Sequence, residues 1–338
     1  MTIGKNGTSP PSETPVVNLA ERIVPQTLTS AAATFVDSLK INSISEKIRG
    51  RRRVVVKRRN GHSGRLAELA NLYFRIAGIP IRFWAKVEEW RRWEVKCFRM
   101  LNGDRFRAYT SGKNIVCTGK VPGKSLWEHL NQGTLTRPML EAAANELRRA
   151  HRFQSDELRG WWSHGDAGMN NVTYNEKTGR ARLIDFEIIH DRSLPAKSRH
   201  ADDLLVFLLD LIAVAPSRQW LQFTLCFLDA YGDTGVIAEL TNHLALPSGI
   251  AWIWWGVRTS FANPAKVKQR LEKLRDLTAH LEHYRAVAAV RARHRRRASM
   301  TCQKMSAGIP MPISRARQTR ERAKAPSPEM PSKLPTTR

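Results

Sequence analysis

Three polar side chains in the middle of the chain, Asp166, Asn171 and Asp185, stand at spacings that allow them to act together. Asp166 and Asn171 lie five residues apart on a polar loop that begins at Ser163, and Asp185 follows Asp166 by nineteen residues. Phosphoryl transfer requires a group that orients an acceptor hydroxyl and accepts its proton, and hard oxygen ligands that hold Mg²⁺ against nucleotide phosphates. Two carboxylates and an amide oxygen supply those groups.

The residues between these side chains predict a β-hairpin. Residues 172–174 and 181–184 have the composition of two short strands, and Glu176-Lys-Thr-Gly179 has the composition of a turn. A hairpin returns the chain to its starting point, so we expect Asp185 to lie close to Asn171. Oxygen atoms of both side chains then face one metal ion.

The sequence His-Gly-Asp at 164–166, with Asn171 and Leu-Ile-Asp-Phe-Glu at 183–187, resembles the kinase-like superfamily. The similar branches are the aminoglycoside phosphotransferases, the lipopolysaccharide (Kdo) kinases and the RIO-type atypical kinases. The resemblance covers residues 45–235 and is strongest over 164–187. It implies an ATP-dependent phosphotransferase with a two-lobed protein-kinase-like fold.

The resemblance also implies roles for individual residues. Asp166 is the expected catalytic base, and Asn171 and Asp185 are the expected ligands of Mg²⁺. His164 is expected to brace the catalytic loop rather than to react. The expected substrates are a nucleoside triphosphate, with ATP and Mg²⁺ as cofactors, and an acceptor that carries a hydroxyl group.

Lys57 is the candidate for the lysine that contacts the nucleotide phosphates. It follows three valines on a predicted strand, Arg53–Lys57, which matches the pattern Val-Ala-Ile-Lys. Because it stands among several arginines, it is alternatively one more surface charge, and Lys86 and Lys96 are then the next candidates. No glycine-rich sequence precedes Lys57, so the phosphate-covering loop is not identified and ATP is not distinguished from GTP.

Glu94 is the preferred partner of Lys57. On a predicted helix over 84–101 it shares a face with Trp90, Cys97 and Leu101, and a carboxylate on an apolar face requires a cationic partner. Glu68 is closer to Lys57 in sequence and remains the alternative, on a predicted helix over 65–77. With Glu94 as the partner, the gap of 37 residues from Lys57 is long, and the helix over 65–77 would be an insertion between the strand of Lys57 and the helix of Glu94.

The order of elements predicts an α+β fold with a small mixed N-lobe and a mainly helical C-lobe. The predicted boundaries are a disordered segment 1–30, the N-lobe 31–120, the C-lobe 121–290 and a disordered basic tail 291–338. Further predicted elements are strands at 106–110 and 114–118, a helix that begins after Thr136, and a helix with Asp202 and Asp203 at its N-terminus. Trp252, Trp254, Trp255 and Phe261 form either a core helix or a lipid-facing patch.

The charge of the chain favours acidic partners. Its 338 residues carry a formal charge of +26, of which the tail contributes 13 − 2 = +11. The four cysteines form no CxxC pair, which argues against a zinc site, and no signal peptide or membrane-spanning segment is recognised. We therefore expect a cytoplasmic location, with the basic tail as a contact to the inner face of an anionic membrane, and no specific nucleic-acid partner.

Three functions remain open from the sequence. The first is transfer of the γ-phosphate of ATP to a sugar or lipopolysaccharide-core hydroxyl, which suits a basic protein that acts on an acidic acceptor. The second is a RIO-like serine/threonine protein kinase. The third is a catalytically inactive kinase-like scaffold that binds polyanions, although Asp166, Asn171 and Asp185 are all intact.

Overall fold

The structure is a computed structural model, and it describes residues 41–50 and 52–279. Its first strands form a four-stranded antiparallel sheet, and most of its helices follow after that sheet. In chain order the elements are β1 (Asn42–Arg49), β2 (Arg52–Arg59), α1 (Ser63–Ile76), β3 (Ile81–Phe83), α2 (Val87–Asn102), β4 (Ala108–Ser111), β5 (Ile115–Gly119), β6 (Lys124–Ser125), α3 (Leu126–Asn131), α4 (Arg137–Ala150), β7 (Gln154–Ser155), β8 (Gly160–Trp161), β9 (Val172–Asn175), β10 (Arg180–Leu183), β11 (Ile188–His190), α5 (Ala196–Val214), α6 (Trp220–Tyr231), α7 (Thr234–His243), α8 (Ala251–Arg258) and α9 (264–279).

The four-stranded sheet has the order β1-β2-β5-β4, with β2 at its centre. Side chains alternate across a strand, so β2 sends Val54 and Val56 to the outer face, where they pack with Cys117. The same alternation sends Lys57 to the inner face. Helix α2 covers that inner face with buried residues at helical spacing, among them Trp90.

Helix α1 and strand β3 form an insertion between β2 and α2, as the long gap between Lys57 and Glu94 predicts. Strand β3 does not join the main sheet; it pairs antiparallel with β11, which follows the Asp-Phe-Glu sequence. Phe74 of α1 packs edge-on against Trp254 of α8, with ring centroids 4.9 Å apart. The insertion therefore contacts both the sheet lobe and the helical lobe.

Residues 119–124 connect the sheet lobe to the helical lobe and pass against β9. Gly123 has a φ of +114°, and a Cβ atom at this position would lie 2.0 Å from the carbonyl oxygen of Tyr174. Only glycine fits this close approach. Strand β6 then pairs with β9, whose other neighbour is β10, so the connection is tied to the hairpin that carries Asp185.

The start of helix α5 and the existence of strand β1 differ from what the sequence predicts. Helix α5 begins at Ala196 rather than at Asp202, because Pro195 starts the helix and Asp202 and Asp203 lie in its second turn. Both carboxylates are therefore interior groups that bind other elements, not caps. Strand β1 was not predicted from the sequence. Its β-branched residues Ile44 and Ile48 are exposed, so they do not mark a buried face of the strand.

The aromatic residues of α8 belong to the protein interior, as one of the two interpretations predicts. Trp255 is buried, and Trp252 packs against the main core. The predicted segments 1–30 and 291–338 lie outside the described residues. No helix in the described part of the chain has the length and apolar character needed to cross a membrane.

Candidate active site

The loop between His164 and Asn171 joins Asp166 to Asn171 directly. The Asn171 Nδ2 atom donates to the backbone oxygen of Asp166 at 2.8 Å and to its Oδ2 atom at 3.1 Å. This leaves the amide oxygen of Asn171 available as a ligand. A short 3₁₀ turn, Met169–Asn171, ends the loop and leads into β9.

The hairpin β9–β10 brings Asp185 back to this loop, as its sequence predicts. The Ile184 amide donates to the carbonyl oxygen of Asn171 at 2.9 Å, so Asp185 is one residue beyond the point of contact. Asp185 has a φ of +65°, a left-handed conformation that is uncommon outside glycine and is best tolerated by Asn and Asp. Such a backbone persists where surrounding contacts hold it in place.

Lys57 reaches from β2 to both predicted carboxylates. Its Nζ atom lies 2.7 Å from Glu94 Oε1 and 2.7 Å from Asp185 Oδ1. Glu94 also accepts the backbone amide of Phe186 through its second oxygen at 2.9 Å. Glu68 lies on the exposed side of α1, so the structure places Glu94 and not Glu68 against Lys57.

The two alternative lysines lie elsewhere. Lys86 is exposed and faces Glu89 at 3.7 Å, and Lys96 pairs with Glu157 at 2.7 Å on the outer side of α2. Neither contacts Asp185 or Glu94. Lys57 is therefore the lysine at the centre of the candidate site.

Glu187 is a member of this group that has no role in the sequence analysis. Its Oε1 atom lies 3.9 Å from Lys57 Nζ and accepts a hydrogen bond from Asn42 of β1. The position of Glu187 could have been predicted from the Asp-Phe-Glu sequence, because residues on either side of a buried phenylalanine can face the same side as each other. Asn42 carried no signal, since β1 itself was not predicted.

The charges in this group are unbalanced, and the pKa values reflect it. Burial alone would lower the pKa of the Lys57 ammonium, but three carboxylates outweigh burial and raise it above its ordinary value. Burial, followed by the negative charge of Asp185, raises the pKa of Glu187 to about 8. Burial also raises the pKa of Glu94. Three carboxyl groups thus lie around two cations, the Lys57 ammonium and the buried Arg59 guanidinium, on which the charges of Glu187 and Glu94 act.

Asp166 lies in a separate environment. Burial raises the pKa of the Asp166 carboxyl, while the nearby guanidinium of Arg258 and the imidazole of His164 oppose that shift. Arg258 comes from α8 and donates to the carbonyl oxygen of Gly165 at 3.3 Å. The residue next to Asp166 is therefore held by a positively charged group from the helical lobe.

Two aspartates of α5 hold the ends of the catalytic loop. Asp203 accepts the backbone amides of His164 and Gly165 at 2.7 and 2.8 Å, and Asp210 accepts the amide of Met169 at 2.7 Å. Asp203 therefore braces the loop. In the sequence Asp210 is recognisable only as a charged residue within an apolar run, and its contact with the loop was not predicted.

Gly165 and His164 complete the local geometry. Gly165 has a φ of +86°, and a Cβ atom there would lie 3.1 to 3.2 Å from Ile188. Only glycine therefore fits between the loop and β11 without displacing the latter. The His164 side chain is buried, and its Nε2 atom lies 3.1 Å from the carbonyl oxygen of Ile184. This contact links the loop to the end of β10.

The turn between β1 and β2 does not cover the candidate site. Lys57 is paired with Ile44 in the antiparallel ladder, and the turn at Gly50 lies at the opposite end of both strands. Seven residues separate Gly50 from Lys57, which corresponds to about 23 Å along a strand. Gly50 is therefore not the phosphate-covering glycine.

The donor set suits a hard divalent cation that is shared with a substrate. Among residues 41–50 and 52–279, no group of three or more His, Cys, Asp or Glu side chains is arranged to hold a metal by itself. Mg²⁺ characteristically takes one or two protein oxygen ligands and completes its shell with phosphates and water. Asn171 and Asp185 can supply those oxygens.

Replacing Asp203 with Asn is expected to lower stability in a pH-dependent way. Burial alone would raise the pKa of this carboxyl, but the hydrogen bond and charges of buried histidines, His151 first, lower it to about 2 from 3.8. A lowered pKa means that the carboxylate stabilises the fold above pH 4 and that this contribution disappears as the pH falls towards 2. Between pH 5 and pH 2 the parent should lose about 2 kcal/mol more than the variant. Urea titrations across that range measure this, with exposed Asp156→Asn as a control; equal slopes would contradict it.

Substitutions of Lys57 and of Glu94 are expected to lower the folding free energy by different amounts. Their effects on the use of ATP are expected to be non-additive. Lys57→Met leaves the buried Glu94 and the half-buried Asp185 and Glu187 without their ammonium and should cost about 3–5 kcal/mol of folding free energy. Glu94→Gln leaves Lys57 paired with Asp185 and should cost about 1–3 kcal/mol. The double variant should use ATP little worse than Lys57→Met alone, because the two side chains act as a unit.

A double-mutant cycle with Glu68 is the matched control for that pair. Because Glu68 is exposed and distant from Lys57, the Lys57/Glu68 cycle should be additive in kcat/KM for ATP. Coupling in the Glu68 cycle together with additivity in the Glu94 cycle would contradict the pairing seen in the structure.

The class of fold follows from the order of these parts. A lysine on a strand, a glutamate on the following long helix, a connection, a loop with Asp and Asn, and a hairpin that ends in Asp are the parts of the protein-kinase-like fold. The described chain contains them in that order, with the insertion α1–β3 after the lysine. The predicted two-lobed α+β fold, with a small antiparallel sheet and a helical lobe, is confirmed.

Comparisons with solved structures return kinases and phosphotransferases at low identity. Neither a family model nor a curated protein matches the sequence. Similar structures are Plasmodium vivax ethanolamine kinase (10% identity, TM-score 0.40, 70% of this chain and 79% of that chain), the gentamicin complex of APH(2″)-IIa (12%, 0.36, 73% and 95%), and ADP-bound aminoglycoside phosphotransferase APH(2″)-Ib (12%, 0.35, 73% and 96%).

Proposed function

We propose that this protein is an ATP-dependent phosphotransferase that moves the γ-phosphate of the nucleotide to a hydroxyl group. The observation that carries the proposal is the position of Lys57 Nζ, 2.7 Å from both Glu94 and Asp185. An ion pair between a strand lysine and a helix glutamate, beside a carboxylate that can bind metal, is the arrangement that positions nucleotide phosphates in kinases.

Asp166 is the proposed catalytic base. Its carboxylate would orient the acceptor hydroxyl and accept its proton as the phosphoryl group arrives. The hydrogen bond from Asn171 fixes one carboxylate oxygen and leaves the other free to contact the acceptor. Burial raises the pKa of Asp166, which makes it a stronger base than an exposed aspartate.

Lys57, Asn171 and Asp185 have the proposed task of holding the nucleotide. Lys57 would contact the phosphates while Glu94 keeps its ammonium in place, and Asn171 and Asp185 would hold Mg²⁺. The ion, when bound, neutralises charge on the β- and γ-phosphates during transfer. No step requires the protein to form a covalent bond with the substrate.

The proposed acceptor is a sugar or lipopolysaccharide-core hydroxyl on an acidic molecule at the inner face of the cytoplasmic membrane. The net charge of +26 supports an acceptor that carries phosphate or carboxylate groups. The resemblance of residues 164–187 to the lipopolysaccharide kinases supports the same class. The intact set of Asp166, Asn171 and Asp185 argues against an inactive scaffold.

Two measurements test this proposal in sequence. Thermal denaturation with ATP and Mg²⁺, and in parallel with GTP and Mg²⁺, should show stabilisation by the preferred nucleotide that disappears when EDTA is added. Transfer of labelled γ-phosphate is then screened against lipopolysaccharide precursors, small sugars and protein acceptors. Transfer of the label to protein acceptors, with no transfer to sugars, would favour the protein-kinase alternative. Failure of both nucleotides to stabilise the chain would contradict the proposal.

A further inference from the structure

Three neighbouring cavities lie on the outer face of the sheet lobe and behind the connection between the lobes. None of them is lined by Lys57, Asp166 or Asp185. The largest has a volume of about 1020 Å³ and the second about 650 Å³, and both are bounded by Tyr109. The third, much smaller, shares Arg105 and Phe106 with the largest and extends to Arg180 and Arg182. Because neighbouring cavities share lining residues, they adjoin one another, and we call the three together the basic track.

Basic side chains predominate in the lining of the basic track. The largest cavity has six basic side chains and no acidic one: Arg49, Arg52, Arg53, Arg105, Arg107 and Lys120. The second cavity adds four basic side chains along α2 and one acidic side chain, Glu88; the basic ones are Arg91, Arg92, Arg99 and Lys96, the last already paired with Glu157. Like charges in one concave surface repel each other, so such a surface is favourable mainly when a polyanion neutralises it.

Most guanidinium groups of the largest cavity lack a carboxylate partner in the described part of the chain. Lys120 pairs with Glu46, and Arg105 lies 3.9 Å from Asp104, whose stronger partner is Arg182. Arg52, Arg53 and Arg107 form no ion pair with any described residue, and Arg49 donates to the hydroxyl of Tyr109 at 3.0 Å. Their positive charges are therefore not neutralised by carboxylates of the described residues.

The shape of the basic track selects among polyanions. A flat lipid surface cannot follow a concave path, and a single small ligand would occupy only one of its cavities. A single strand of nucleic acid carries one phosphate per nucleotide and can run along all three. Tyr109, half-buried where two cavities meet, holds the guanidinium of Arg49 beside its ring, 5.8 Å from the ring centroid, and so fixes one cation within the track.

We propose that the basic track binds single-stranded nucleic acid through its phosphate backbone, without reading base sequence. Backbone binding needs no sequence-reading module, so it is compatible with the expectation of no specific nucleic-acid partner. This site is separate from the phosphotransferase site, and its occupancy does not depend on nucleotide hydrolysis.

The test compares two full-chain variants with the same net charge. The track variant carries Arg52→Gln, Arg53→Gln and Arg107→Gln, and the control variant carries Arg65→Gln, Arg75→Gln and Arg218→Gln. All six arginines are exposed, and the control residues lie on α1 and before α6, outside the track. Both variants keep residues 291–338, so any contribution of that basic segment is the same in each.

Binding is measured by fluorescence anisotropy of a labelled oligothymidylate of about 12 nucleotides, without ATP, over a range of salt concentrations. The track variant should bind roughly tenfold more weakly, and the slope of log Kd against log salt should fall by about 2, since each single-strand phosphate contact contributes about 0.7. The control variant should stay within about twofold of the parent. Equal melting temperatures of the three proteins establish that the fold is unchanged.

Three outcomes would overturn the proposal. An equal loss in both variants would show that net charge alone is responsible. Unchanged binding in the track variant would place the nucleic acid elsewhere. Loss of binding to phosphatidylglycerol vesicles with unchanged oligothymidylate binding would make the track a membrane contact instead. Because ATP is not used, none of these outcomes depends on the proposed phosphotransferase activity.

Discussion

Replacing Asp166 with Asn is expected to lower the rate of γ-phosphate transfer by roughly 10²–10⁴ while leaving the fold and nucleotide binding intact. The amide has the shape of the carboxylate but cannot accept the hydroxyl proton. The bond from Asn171 to the backbone oxygen of Asp166 is retained, so the loop should keep its path. Burial already disfavours the charged form of Asp166, which means that a neutral residue should not destabilise the protein.

The measurement is the rate of ADP formation with the acceptor found in the screen, together with the melting temperature with and without ATP and Mg²⁺. Asp156→Asn is the control, because Asp156 is fully exposed and pairs only with Lys96. A turnover of Asp166→Asn within a few-fold of the parent would remove Asp166 from the role of base.

Replacing Asp185 with Ala should abolish the Mg²⁺-dependent stabilisation of the protein by ATP. Saturation at a hundred times Kd stabilises a folded protein by about 2.7 kcal/mol, and this whole increment should be lost. Asp185 supplies a carboxylate at the end of the hairpin, opposite Asn171. Without it Lys57 keeps Glu94 and the more distant Glu187, and the amide oxygen of Asn171 is the one proposed protein ligand that remains for the metal.

The backbone of Asp185 requires a second variant as control. Its φ of +65° is unfavourable for alanine, so Asp185→Ala adds strain of about 1–2 kcal/mol to the loss of the ligand. Asparagine tolerates this conformation, and Asp185→Asn therefore isolates the loss of charge. An ATP–Mg²⁺ stabilisation of either variant equal to that of the parent would show that Asp185 does not bind the metal.

The sequence was sufficient to predict the hairpin and the residues at its two ends. Spacing and turn composition brought Asp185 to Asn171, and the apolar face of α2 singled out Glu94 as a carboxylate in need of a cation. Both inferences depend on short-range patterns, which the backbone converts directly into positions. The insertion α1–β3 was likewise visible as a gap that was too long for a direct connection.

The supporting contacts could not be predicted because they join distant segments. Asp203 and Asp210 hold the catalytic loop from a helix more than thirty residues later, and Arg258 reaches Gly165 across 93 residues. Strand β3 pairs with β11 although neither is longer than three residues. Helix α5 looked as if it began at its aspartates, because acidic residues favour a helix N-terminus, whereas here burial against the loop determines their position.

Phosphorus NMR of a mixture of full-length protein, ATP, Mg²⁺ and an acceptor is the most direct test of the proposed reaction. The account predicts that the γ-phosphate signal of ATP is replaced by a phosphomonoester signal coupled to an acceptor carbon, with one ADP formed per ester. It also predicts that Asp166→Asn and EDTA each suppress this product. Formation of AMP and pyrophosphate, release of inorganic phosphate alone in the presence of every acceptor class, or the same ester at the same rate with Asp166→Asn would contradict it.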